Sequence, residues 1–115
     1  MVKRGYSAEA RRKEKLTREG WLVFRVSGSI GPIDLVAIRP FPHSTLFEVR
    51  LEQIKSTKDK IYYFDKQARS EWTRLWDYVK QGIEECYFVI LFSRRRKWKI
   101  VRVGSERPPT KIECE

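Results

Sequence analysis

IDLVAIR (residues 33–39), followed after a proline-flanked turn by TLFEVRLEQIKS (residues 45–56), decides how this chain is read. The first stretch is short, mostly apolar and rich in β-branched residues, which suits a strand. It ends at Pro40 and Pro42, whose fixed φ and missing amide hydrogens suit a turn. The second alternates apolar and polar residues, the period of a strand with one buried face. Upstream, WLVFRV (residues 21–26) has the same apolar, aromatic and β-branched character and is broken by Ser27, Gly28, Ser29, Ile30, Gly31 and Pro32. Three consecutive strands therefore form a meander. Before them, residues 7–19 are rich in helix formers, open on Ser7 as a cap and stop at Gly20.

Beyond the meander, residues 65–81 place Ala68, Trp72, Leu75, Trp76 and Val79 at spacings of three and four, the apolar face of a second helix closed by Gly82. CYFVILF (residues 86–92) is continuously apolar and predicts a strand covered on both faces. WKIVRV (residues 98–103) follows the basic turn Arg94, Arg95, Arg96, Lys97 as a last strand. The expected architecture is α/β: helices over a central mixed five-stranded sheet, with a right-handed crossover from the third strand through the second helix. Residues 1–104 read as a single domain, and residues 105–115, with Pro108 and Pro109, as a loosely ordered tail.

With 115 residues there is room for one core. Lys and Arg number 25 against 15 Asp and Glu, a formal charge of +10. Four Trp, five Tyr and six Phe need burial, which argues against a disordered basic tail and leaves a compact domain that meets a polyanion. No stretch is long and apolar enough to cross a bilayer, and the N-terminus runs straight into charge, so a cytoplasmic location is expected. Cys86, Cys114 and His43 are too scattered to suggest a disulfide or zinc site. Asn is absent while Lys, Arg and Glu abound, a leaning that resembles a thermophile's composition.

Asp34 opens the second strand, and Gln53 and Lys55 lie near the end of the third, two residues apart and so on one face. A carboxylate and an amine meeting at one sheet edge suit metal-assisted phosphodiester hydrolysis, in which Mg²⁺ takes oxygen ligands and a cation offsets charge on the phosphate. On spacing alone the plainer reading, a turn-capping Asp34 with solvated Gln53 and Lys55, carries more weight. Glu48 and Glu52 sit at even positions and should face away from Lys55 unless a bulge re-aims one, so they are reserve ligands.

Glu9 in the first helix, Gly20 before the first strand, Arg25 and Ser27 to Ser29 after it, then Asp34 to Ala37, and finally Gln53, Lys55 and Ser56 occur in a shared order and spacing. In that order they resemble the PD-(D/E)xK nuclease superfamily, most closely its archaeal Holliday junction resolvase branch. The resemblance spans roughly residues 3 to 92 and implies a restriction-endonuclease-like αβββαβ core. It implies Mg²⁺, with Mn²⁺ as a substitute, held by Asp34, Gln53, the carbonyl of Ile54 and, through a water, Glu9. Lys55 would orient or help deprotonate the attacking water and offset transition-state charge, and Ser29 or Ser27 would contact the adjacent phosphate. The departure is Gln53, where most resolvases carry Glu; an amide oxygen binds Mg²⁺ without compensating charge.

The resemblance also gives the basic surplus a purpose. Lys3, Arg4, Arg11, Arg12 and Arg25 around the first helix, with Lys58 and Lys60 beside the site, are the expected contacts to branched or double-stranded DNA. A homodimer is implied, with residues 87–92 and 98–103 and the second helix as its face. The expected function is a structure-specific endonuclease cutting near four-way junctions. The alternatives are a nuclease for flaps, nicks or restriction-type targets, and a DNA-binding protein that retains the fold without catalysis.

Overall fold

The computed structural model describes residues 7–26 and 31–114. Lys3, Arg4, Ser27 and Ser29, expected above as DNA or phosphate contacts, lie outside the described residues. The chain folds as α1 (Ala8–Arg18), β1 (Leu22–Arg25), β2 (Leu35–Pro40), β3 (Phe47–Thr57), β4 (Ile61–Tyr63), α2 (Lys66–Lys80), β5 (Cys86–Phe92), β6 (Lys97–Arg102) and β7 (Lys111–Glu113). Strands β1, β2, β3, β5 and β6 make one sheet in that spatial order. All neighbours are antiparallel except β3 and β5, which run parallel because α2 returns the chain between them. The α/β fold with a mixed five-stranded sheet and flanking helices is thus as the sequence predicts.

Both helices begin where side-chain oxygens take up free amides. Ser7 Oγ accepts from the Ala10 amide at 3.2 Å and Asp65 Oδ1 from the Ala68 amide at 2.8 Å. Helix α1 ends as Gly20 takes φ +98°, a left-handed conformation open to glycine, and the Trp21 amide donates back to the Leu16 carbonyl.

The alternation along the strands divides the core in two. On one face Leu16 of α1 covers Val23, Leu35, Ala37, Ile54 and Val89. On the other, Ala68, Trp72 and Leu75 of α2 cover Leu51, Cys86, Phe88, Ile90 and Phe92. The α1 face also takes in a charge. Arg12, one turn before Leu16, is 2 % exposed and bonds both oxygens of the fully buried Glu52 at 2.8 and 2.9 Å. Arg50 reaches the same carboxylate at 2.6 Å, so one anion is held between two guanidinium groups.

Two strands were missing from the sequence reading. Strand β4 falls just after the expected polar loop and pairs antiparallel with β7, which lies in the segment expected to be a loose tail. That segment is tied down: Ile112 is buried, the Phe64 amide donates to the Thr110 carbonyl, and Trp72 Nε1 donates to the Ser105 carbonyl at 2.9 Å. Of the expected dimer face, Phe88 to Phe92 and the apolar stripe of α2 are consumed inside the chain, whereas β6 is an edge strand with Ile100 exposed. Helix α2 covers only part of its face, and Leu22, Phe24, Phe47 and Val49 on β1 and β3 stand exposed beyond it.

Candidate active site

Asp34 sits where β2 begins, and its backbone is fixed from both sides. Its carbonyl accepts from the Val26 amide at 2.9 Å, and its amide donates to the Glu52 carbonyl at 2.8 Å. Its side chain crosses to β3, where Oδ2 accepts from Gln53 Nε2 and from the Ile54 amide, each at 2.8 Å. Lys55, two residues beyond Gln53, shares its face and places Nζ 2.6 Å from Glu71 Oε1 on α2. Glu9, in the first turn of α1, pairs with Arg25 of β1 at 3.1 Å. Glu9, Asp34, Gln53, Ile54 and Lys55 all line one cleft of about 760 Å³, so the motif residues that the sequence scatters over three elements converge.

The cleft disfavours the charged form of Asp34. The Asp34 carboxyl is pushed up to about 6, chiefly by burial and further by the charges of Glu9 and Glu71, against the opposing pull of the Ile54 amide and Lys55. Two amide donors reach only one of its oxygens, and the other accepts nothing among the described residues. A partly buried carboxylate with a free oxygen and a raised pKa is a place where a cation would be stabilised.

Several expected residues lie elsewhere. Arg12, expected on DNA, is a correction: buried against Glu52, with its guanidinium 5.7 Å from the Trp98 ring centre, it cannot reach a ligand. Glu52 itself points into the α1 face, opposite Lys55 as its even position predicts, and is no reserve ligand. Glu48 pairs with Arg39 at 3.0 Å away from the cleft. Lys58 and Lys60 line a separate hollow with Arg94 and Arg95, bringing the β3–β4 loop beside the basic turn. Arg11 lies along a groove with Lys15, Arg18 and Arg96.

The sequence reading missed the contribution of α2. Lys66, Ser70 and Arg74, spaced by four, line the cleft together with Gln67 and Glu71. The spacing that could have revealed this polar stripe runs beside the apolar one at Ala68, Trp72 and Leu75. Arg74 also lies beside Gly31, with its Nη2 3.8 Å from where a Cβ on Gly31 would sit; Gly31 itself has φ +70°.

The polar side chains lining the cleft are carboxylates, amides, a hydroxyl, two ammonium groups and a guanidinium, with no thiol or imidazole among them, so they suit Mg²⁺ or Mn²⁺ rather than a thiophilic metal. Among the described residues no three His, Cys, Asp or Glu groups stand close enough to form a ready-made cage. Glu9 and Glu71 are each drawn to a cation, which leaves Asp34 as the available carboxylate with neutral oxygens of Gln53 and Ile54 nearby. That fits the way Mg²⁺ binds through one or two carboxylates, waters and substrate phosphates.

No protein-family model and no curated protein matches the sequence. Among solved structures, the chain is similar to Archaeoglobus fulgidus Hjc, a Holliday junction resolvase from an archaeal hyperthermophile, with a TM-score of 0.63 and 21% identity. The match covers 91% of this chain and 84% of that one, so the chain shares the fold of an archaeal resolvase over nearly its whole length.

Proposed function

We propose that the chain is a divalent-metal-dependent DNA endonuclease that hydrolyses phosphodiester bonds near four-way junctions, working as a homodimer. The observation that carries this reading is the convergence of Asp34, Gln53, Ile54 and Lys55 in one cleft, on a resolvase-like fold whose surface is strongly basic. Asp34, with Gln53 and the Ile54 carbonyl, would hold Mg²⁺ or Mn²⁺, and Glu9 would hold a water from the α1 side. When bound, the metal would supply Lewis-acid activation and offset charge at the scissile phosphate. Lys66 and Arg74 on α2 would clamp the neighbouring phosphates, while Lys58, Lys60, Arg94 and Arg95 would follow the backbone of an adjoining arm. The exposed Leu22, Phe24, Phe47 and Val49 would form the dimer face.

A nicking assay on a synthetic four-way junction, with flaps and linear duplex as comparison substrates, tests this directly. Cleavage should require Mg²⁺ or Mn²⁺ and fall by at least about 100-fold in Asp34→Ala and in Lys55→Ala, with junction affinity retained. Unchanged cutting by both variants would refute it. Gln53 favours a second reading, a DNA-binding protein that has kept the fold without catalysis. That reading wins if wild type binds junctions but cuts nothing with either metal, and loses if wild type and Gln53→Glu cut at comparable rates.

A further inference from the structure

The Lys55 ammonium is not free to wander in the cleft. Its Nζ lies 2.6 Å from Glu71 Oε1, and the two side chains are only 20% and 14% exposed. Oε1 is enclosed and takes part in no well-aligned hydrogen bond among the described residues, so Lys55's charge is what compensates its burial. Glu71 is itself held in place. It rides on α2 next to Trp72, which is 3% exposed, and its Oε2 meets Gln67 Nε2 one turn earlier at 3.4 Å. A lysine near a strand end has four flexible bonds and loses rotamer freedom when fixed. A mostly buried carboxylate on a helix packed against the sheet can impose that fixation.

Building on the nuclease reading above, we propose that Glu71 is the positioning residue for Lys55, holding it as a fixed cation beside Asp34. Residue 53 is a neutral amide, so Glu71 supplies the negative charge that balances the ammonium. Held in this ion pair, the Lys55 ammonium is placed to offset the charge that builds on the phosphate oxygens. A substrate phosphate entering the cleft meets this ammonium already oriented, with no search through its rotamers.

The test measures single-turnover junction cleavage, junction affinity and acylation of Lys55 by acetic anhydride, the last read by peptide mass. It compares wild type, Glu71→Gln, Glu71→Asp, Lys55→Ala and the Lys55→Ala/Glu71→Gln double variant. Glu71→Gln should slow cleavage by about tenfold to a hundredfold while changing affinity by less than about twofold. Glu71→Asp should recover part of the rate, and the double variant should be no slower than Lys55→Ala alone. Lys55 should be acylated several-fold faster in Glu71→Gln than in wild type. A Glu71→Gln protein with wild-type cleavage, unchanged Lys55 acylation, or an effect that adds fully to that of Lys55→Ala overturns the assignment. Wild-type cleavage by Lys55→Ala brings down the role of Lys55 and the Glu71 assignment with it, whereas no cleavage by the wild type brings down the nuclease reading itself.

Discussion

The Asp34 carboxyl, raised from 3.8 to about 6 by burial and by Glu9 and Glu71, keeps its proton in the folded chain at a pH where an unfolded chain has lost it. Folding therefore gains from this group at acid pH, and the gain disappears as pH climbs from about 4 through about 6. In metal-free protein, Asp34→Asn should be more stable than wild type above pH 7 and no more stable below pH 4. The difference is on the order of 1 kcal/mol, because the carboxyl remains partly wet and solvent screens its neighbours. Urea melts at the two pH values check this; equal stabilisation at both would show that the burial and charge argument is wrong. The two-residue spacing of Gln53 and Lys55 on one strand put them on one face in the sequence, and only the family resemblance joined Asp34 to them. Glu71 was not legible there, because its partnership with Lys55 depends on how a helix lies across the sheet.

Helix α1 meets the sheet through Leu16 and through Arg12, whose partner Glu52 is forty residues away in sequence. That separation is why Arg12 read as one more member of a basic surface cluster. Arg12→Ala leaves Glu52 buried with only Arg50 beside it and should cost about 3 kcal/mol or more. Replacing both Arg12 and Glu52 by Leu should cost clearly less. Denaturant titration of the single and double variants checks the ordering, and a double variant weaker than Arg12→Ala would contradict it. Strand β5 and the Ser7 cap matched the sequence reading because a continuous apolar run and a capping side chain are local signals. Strands β4 and β7 have three residues each, too few to show a period, and they exist because they pair with one another across the chain.

Across the whole molecule, the surplus of +10 predicts binding that weakens steeply with salt. If about six phosphates are neutralised, log affinity should fall against log salt with a slope of about −5. Fluorescence anisotropy with a labelled junction measures it, and a slope near zero would remove the electrostatic basis of the DNA reading. The open apolar patch makes its own prediction: Phe24→Glu should shift the protein from a dimer toward its 13.8 kDa monomer in light scattering, without loss of helix content. A wild type that is already monomeric would exclude that face as a self-contact. The alternation along β3 reaches further. Glu52 faces α1 and anchors it while Gln53 faces the α2-side cleft and meets Asp34, so adjacent residues answer to separate demands. Gln and Glu codons differ by one base. The local charge of the cleft can therefore change in one mutational step while the anchor beneath it stays in place, leaving chemistry free to drift across generations on an unaltered scaffold.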